Sequence, residues 1–224
     1  GRLLSKHISI NFLSQGSAYM FQEAIGDYYL SENNAKFALT MYELAYHLIG
    51  PGNYSYLKKW TLLLKMADVL ETRFTGREEE TLRVLEQLFK IFEQYSKENE
   101  ASLYRVKAVA LKAMVLEKTG KKKGYDFLIQ KRRTFEREKP SFHLFQICLE
   151  LAEAFQEYEE LGRYFLKLAK KNSEILPKLA LMNEKYDRWM FGEQEIENSE
   201  ELRKKLQDCY LRLLRLRYVY GHTK

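Results

Sequence analysis

Four histidines and two cysteines are the residues of this 224-residue chain best suited by type to chemistry. His7, His47, His143 and His222 lie far apart, with no histidine partner at i+4 and no His-Glu-x-x-His run. The spacing that sets two imidazoles on one helix face for a metal is therefore missing. His143 with Cys148 comes nearest to a nucleophile pair. Five residues along a helix turn through about 500°, so the two side chains diverge by roughly 140°. Cys148 then reads as a packed thiol rather than a nucleophile. Gly50-Pro51-Gly52 reads as an interhelix turn, because neither GxGxxG nor GxxxxGK followed by Ser or Thr occurs. The expectation is no catalytic group, no metal, no cofactor, and a protein that is not an enzyme.

The elements that would position any site are helices. Only 11 Gly and 3 Pro punctuate the chain, too few for the many turns of a β-sandwich. Hydrophobic residues make up 46% and charged residues 30%, a globular balance with an all-α prior. Cys148 and Cys209 are too few for a disulfide framework and point to a reducing, cytoplasmic setting. No run approaches the roughly 18 uncharged apolar residues of a membrane helix, so no membrane partner is expected. The first residue is Gly, not Met, and the chain is expected to be a piece of a longer protein.

Periodicity organises the rest. Ile25, Gly26, Tyr29, then Ala38, Tyr42 and Ala45 up to Pro51 read as two helices joined at Ser31-Glu32-Asn33-Asn34. The spacing returns as Ala113, Leu116, Gly120, Tyr125 and Ile129 before Pro140, and as Ala152, Phe155, Tyr164 and Leu168 up to Pro177. A degenerate copy, Trp60, Ala67, Leu70, Thr81, Leu85 and Leu88, fits between if the turn at Thr75-Gly76 is lengthened. These positions resemble the tetratricopeptide repeat (TPR), a helix-turn-helix of about 34 residues. The resemblance implies an all-α, right-handed superhelix of about four helix pairs over residues 1–177. Ile8, Ile10, Phe12 and Leu13 would cap its start. Residues 178–224 would add a capping helix, with Leu179, Trp189 and Phe191, and a long amphipathic C-terminal helix opened by Asn198 and Glu201.

What the resemblance implies about function is a concave surface lined by the first helix of each pair. The candidate peptide-binding residues there are Glu23, Asp27, Asp68, Glu71, Lys107, Met114, Glu117, Glu153 and Glu157. Acids dominate this list although the chain carries a formal +6. That contrast points to a ligand with Lys or Arg side chains. Members that clamp chaperone carboxylates need a basic and amide set of which only Lys107 is present. The implied function is protein or peptide binding, as the sensor or interaction domain of a larger regulator.

The alternative is a nucleic-acid-binding helical repeat using the basic patch Lys121, Lys122, Lys123, Lys131, Arg132 and Arg133. The final helix carries the stripe Leu202, Leu206, Cys209, Leu213, Leu216 and Tyr220, which demands a cover. The last repeat or a second copy of the chain could supply it. Leu211 and Leu214 widen the apolar surface, which favours a homodimer through this helix.

Overall fold

The computed structural model describes residues 15–50, 55–95, 102–182 and 199–222. They are helical, with no strand among them. In chain order the helices are α1 (Gln15–Ser31), α2 (Ala35–Leu48), α3 (Ser55–Arg73), α4 (Glu78–Tyr95), α5 (Ser102–Thr119), α6 (Lys123–Glu136), α7 (Phe142–Ala154), α8 (Glu159–Met182) and α9 (Ser199–His222). The chain divides into two compact units, Gly1–Tyr104 and Arg105–Lys224.

In the first unit α1 packs on α2, α2 on α3, and α3 on α4, the neighbour-to-neighbour order of a helical repeat. Local chemistry sets the breaks. The Asn34 side chain accepts a hydrogen bond from the Phe37 N–H at 3.4 Å and starts α2. Gly76, at φ 78°, takes the left-handed conformation that the α3–α4 turn requires. Glu78, Glu79 and Glu80 then fill the first turn of α4, where the helix dipole favours negative charge. Ala38 and Ala45 are buried, and Gly26 lies against the Tyr42 ring, where a Cβ would stand 2.5 Å from Cε1. The degenerate copy is fully used: Trp60, Ala67, Leu70, Thr81, Leu85 and Leu88 are all buried. Trp60 and Phe92 rings meet at 4.8 Å between centroids.

In the second unit α7 packs on α8, and α9 lies on both. The small residue at the α5–α6 crossing is Gly124, which the periodic positions did not include. A Cβ on Gly124 would fall 2.2 Å from the Ala113 carbonyl oxygen, whereas one on Gly120 would meet only the flexible Lys123 side chain. Ser141 caps α7 by accepting from the Leu144 N–H at 3.1 Å. Phe135 and Phe165 meet edge to face and join α6 to α8.

Pro177 does not end its helix. α8 runs through it to Met182. A proline inside a helix supplies no N–H to the carbonyl four residues earlier, here that of Ser173. The Tyr210 hydroxyl of α9 donates to that same carbonyl at 3.0 Å, so the vacancy is filled from a neighbouring helix. Pro51, the N-terminal cap Ile8 to Leu13, Trp189, Phe191 and Asn198 lie outside the described residues, and the side chains of Leu179, Glu201 and Leu202 are not among those described.

The stripe on α9 is covered within the chain. Cys209, Leu213, Leu216 and Tyr220 are buried where α9 lies on α7 and α8. Leu211 and Leu214, which widen the apolar surface, sit off the stripe and stay more than half exposed. Tyr220 anchors the helix. Its hydroxyl donates to the buried Ala152 carbonyl at 2.6 Å, and Gly162 leaves room for its ring.

Candidate functional site

Four of the sequence-derived acidic positions, Glu23, Asp27, Glu117 and Glu153, sit in small polar clusters with partners distant in the chain. In the first unit Glu23 and Asp27 stand one turn apart on α1, and Lys65 reaches them from α3. Its Nζ lies 2.7 Å from Glu23 Oε1 and 2.9 Å from both Asp27 carboxylate oxygens. The Tyr42 hydroxyl of α2 donates to Asp27 Oδ1 at 2.6 Å, and Lys65 also sits 5.6 Å from the Tyr42 ring centroid. Burial, then Asp27 and its neighbours Glu23 and Asp68, push the Tyr42 phenol far above its usual range. For Lys65, burial favours the neutral amine, but Glu23 and Asp27 outweigh it and hold the ammonium charged.

This cluster shows that α1 and α3, the first helices of successive pairs, face one another closely enough for a lysine to bridge them. It also leaves carboxylates in excess. Asp68 lies one turn beyond Lys65 on α3 and is half-buried, as is Glu71. One ammonium pairs with Glu23 and Asp27, and the Asp68 carboxylate acts on the Tyr42 phenol beside them.

In the second unit Glu117 is a helix cap. Its carboxylate accepts from the backbone N–H groups of Lys122 at 2.9 Å, Gly124 at 3.1 Å and Tyr125 at 3.2 Å, and from the Tyr158 hydroxyl. Lys122, at φ 69°, has no side-chain cap of its own, so the donors at the start of α6 are satisfied from α5. Burial pushes the Glu117 pKa up; these hydrogen bonds outweigh it and bring the carboxyl below its ordinary value. Glu153 pairs in fork geometry with Arg212 of α9, Nε to Oε1 at 3.0 Å and Nη2 to Oε2 at 2.7 Å. Lys107 and Glu157 are exposed, and Met114 is half-buried.

The basic patch residues Lys121, Lys122, Lys123, Lys131, Arg132 and Arg133 are all exposed. The aromatics beside them have neighbours of their own: half-buried Tyr125 meets Tyr158, buried Phe135 meets Phe165, and half-buried Phe127 lies under Lys112. Tyr164, on α8, donates to the Glu136 carboxylate at 3.0 Å and to the Arg132 carbonyl at 3.2 Å.

Cys148 is buried, and burial alone pushes its thiol up to about 12, which removes the thiolate needed for nucleophilic work at neutral pH. Cys209 is likewise buried and unpaired. Among the described residues no group of three His, Cys, Asp or Glu side chains is arranged to hold a metal, and no helix is long and apolar enough to cross a membrane.

Sequence reasoning found the acids but missed Lys65, Tyr42 and Tyr158 as their partners. The one available signal was Lys65 in the stretch facing α1. The chain is thus a helical-repeat-like, all-helical fold with adjacent helix pairs in contact, and no family model, curated protein or solved structure matches it.

Proposed function

We propose that this chain is a TPR-like scaffold that binds a protein or peptide ligand carrying Lys or Arg, as the sensor or interaction part of a larger regulator. The observation that carries the reading is the Lys65 bridge from α3 to Glu23 and Asp27 of α1. It supports a surface made by the first helices of consecutive pairs, the surface on which helical repeats hold extended ligands. The charge on that surface supports a basic ligand. Lys65 neutralises one of the carboxylates around it, and Asp68 adds a further acid one turn along α3. A ligand cation reaching this face adds attraction without needing to desolvate a lone charge. Two buried, unpaired thiols fit a reducing, cytoplasmic setting.

Fluorescence anisotropy against an arrayed library of labelled peptides tests the reading. The expected binders are enriched in Lys and Arg, and Asp68→Lys weakens them by about tenfold or more while helicity is unchanged. Binders without basic enrichment, or binding indifferent to Asp68→Lys, would overturn the assignment of this face.

A further inference from the structure

Exposed charges elsewhere in the molecule are laced by opposite partners one turn away: Arg83 with Glu79 and Arg77 with Glu80. One concavity gathers more cations than such partners: Arg163 pairs with Glu159 and Lys170 with Glu174, and two further cations stand beside them. Between α8 and α9 a cavity of about 280 Å³ is lined by Arg163, Lys167, Lys170 and Arg217 around an apolar floor of Leu166 and Tyr220, with no carboxylate in its wall. The first three cations fall at i, i+4 and i+7 on α8 and share one face; Arg217 is brought in by α9. Like charges at this spacing repel and cost stability in the absence of an anion. A neighbouring cavity of about 460 Å³ shares Lys167 and Lys170 with it and includes Glu136 and Glu174 in its wall.

The parts of the concavity are fixed before any ligand arrives. Arg163 is held by Glu159, Nε and Nη2 lying 2.8 and 2.7 Å from Oε1. Tyr220 is held by its hydrogen bond to the Ala152 carbonyl, so its ring is a rigid platform. Neither Lys167 nor Arg217 forms an ion pair with a carboxylate among the described residues. At the mouth, a Cβ on Gly221 would meet nothing within 4 Å, so access is open.

We infer that this concavity is a binding site for a small phosphate ester. Arg217 and Lys167, with no ion-pair partner among the described residues, stand beside the Glu159-held Arg163 and the Glu174-paired Lys170, and this set matches a phosphomonoester, whose oxygens take a guanidinium fork. The Leu166 and Tyr220 floor receives a flat or aliphatic body attached to the phosphate, the combination of apolar wall and few polar groups typical of small-molecule sites. The site lies apart from the peptide-binding face proposed on α1 and α3, and the two stand or fall separately.

Isothermal titration calorimetry on the full chain tests it, with adenosine 5′-monophosphate, inorganic phosphate and a short single-stranded oligonucleotide as probes. The nucleotide is expected to bind with a dissociation constant tighter than about 1 mM and inorganic phosphate about tenfold more weakly for want of the apolar body. Arg217→Glu and Lys167→Glu should each weaken the nucleotide by about tenfold or more, and Arg217→Lys by less. Lys131→Glu, in the other basic patch, should leave it unchanged, with circular dichroism confirming helix in every variant. Equal weakening by Lys131→Glu would show attraction to net charge alone and overturn the site. So would an oligonucleotide that binds where the nucleotide does not, or no heat from any probe at millimolar concentration.

Discussion

Gly162→Ala would drive a methyl group into the one spot where α8 has left room for the last turn of α9. The added Cβ would lie 1.8 Å from the Tyr220 hydroxyl oxygen and 2.5 Å from Cζ, and both residues are buried. Overpacking of this kind costs about 1 to 3 kcal/mol. If the ring moves away, the buried Ala152 carbonyl loses its donor, at a further cost of about 1 to 3 kcal/mol. Alanine recovers about 1 kcal/mol of helix propensity over glycine, leaving a net loss near 3 kcal/mol, within about 1 to 5. Gly221→Ala is the matched control, since its Cβ meets nothing within 4 Å and it should be neutral or slightly stabilising. Urea melts followed by far-UV circular dichroism give the midpoints, and amide hydrogen exchange assigns the loss to α7, α8 and α9. Adding Tyr220→Phe removes the atom of closest approach, so the two changes together should cost less than their separate effects summed. A Gly162→Ala midpoint equal to that of Gly221→Ala would refute the close docking of α9.

Ala38→Leu should cost about 1 to 3 kcal/mol, because Ala38 is fully buried between helices, whereas Lys121→Ala should stay within about 0.5 kcal/mol; denaturant midpoints decide. Tyr210→Phe should destabilise by about 1 to 3 kcal/mol, and the cost should shrink in a Pro177→Ala background, where the Ser173 carbonyl regains a backbone donor. Because the Glu117 carboxyl is depressed in the fold, its stabilising effect is present above its ordinary pKa of 4.5 and is lost as pH falls below that value. Glu117→Gln should therefore be less stable than the parent at pH 7, with the gap closing toward pH 3 in urea melts at both pH values. Both cysteines should resist a thiol reagent at pH 8 in the native chain and react fully once unfolded, since both are buried and burial lifts each thiol's pKa.

Helix pairing was legible because its determinants are local. Asn34, Gly76 and Ser141 each act within a few residues of their own position, and the apolar spacing of Trp60, Ala67, Leu85 and Leu88 survives even in the weakest copy. The polar clusters were not legible, because their members are distant in the chain. Asp27 finds Lys65 38 residues on, Glu117 finds Tyr158 41 residues on, and Glu153 finds Arg212 59 residues on. A carboxylate at a groove position looks the same in sequence whether it awaits a ligand or caps a helix, as Glu117 does. Pro177 misled for a related reason. The rule that proline stops a helix assumes that nothing supplies the missing donor, and here Tyr210 does.

That donor also settles a question of registration. The apolar stripe of α9 repeats along its axis, so a slide of one turn, about 5.4 Å, would bring similar side chains against α7 and α8. Greasy surfaces alone are poor rulers. Within the described stretch of α8, residues 159–182, proline occurs once, so one carbonyl there is stripped of its amide by a ring, and the Tyr210 hydroxyl finds it. Slid one turn, the phenol would meet a carbonyl already engaged, and the Ser173 oxygen would go unanswered. The proline thus works as a keyway and the tyrosine as its key, an address on α8 that α9 can read only in one alignment.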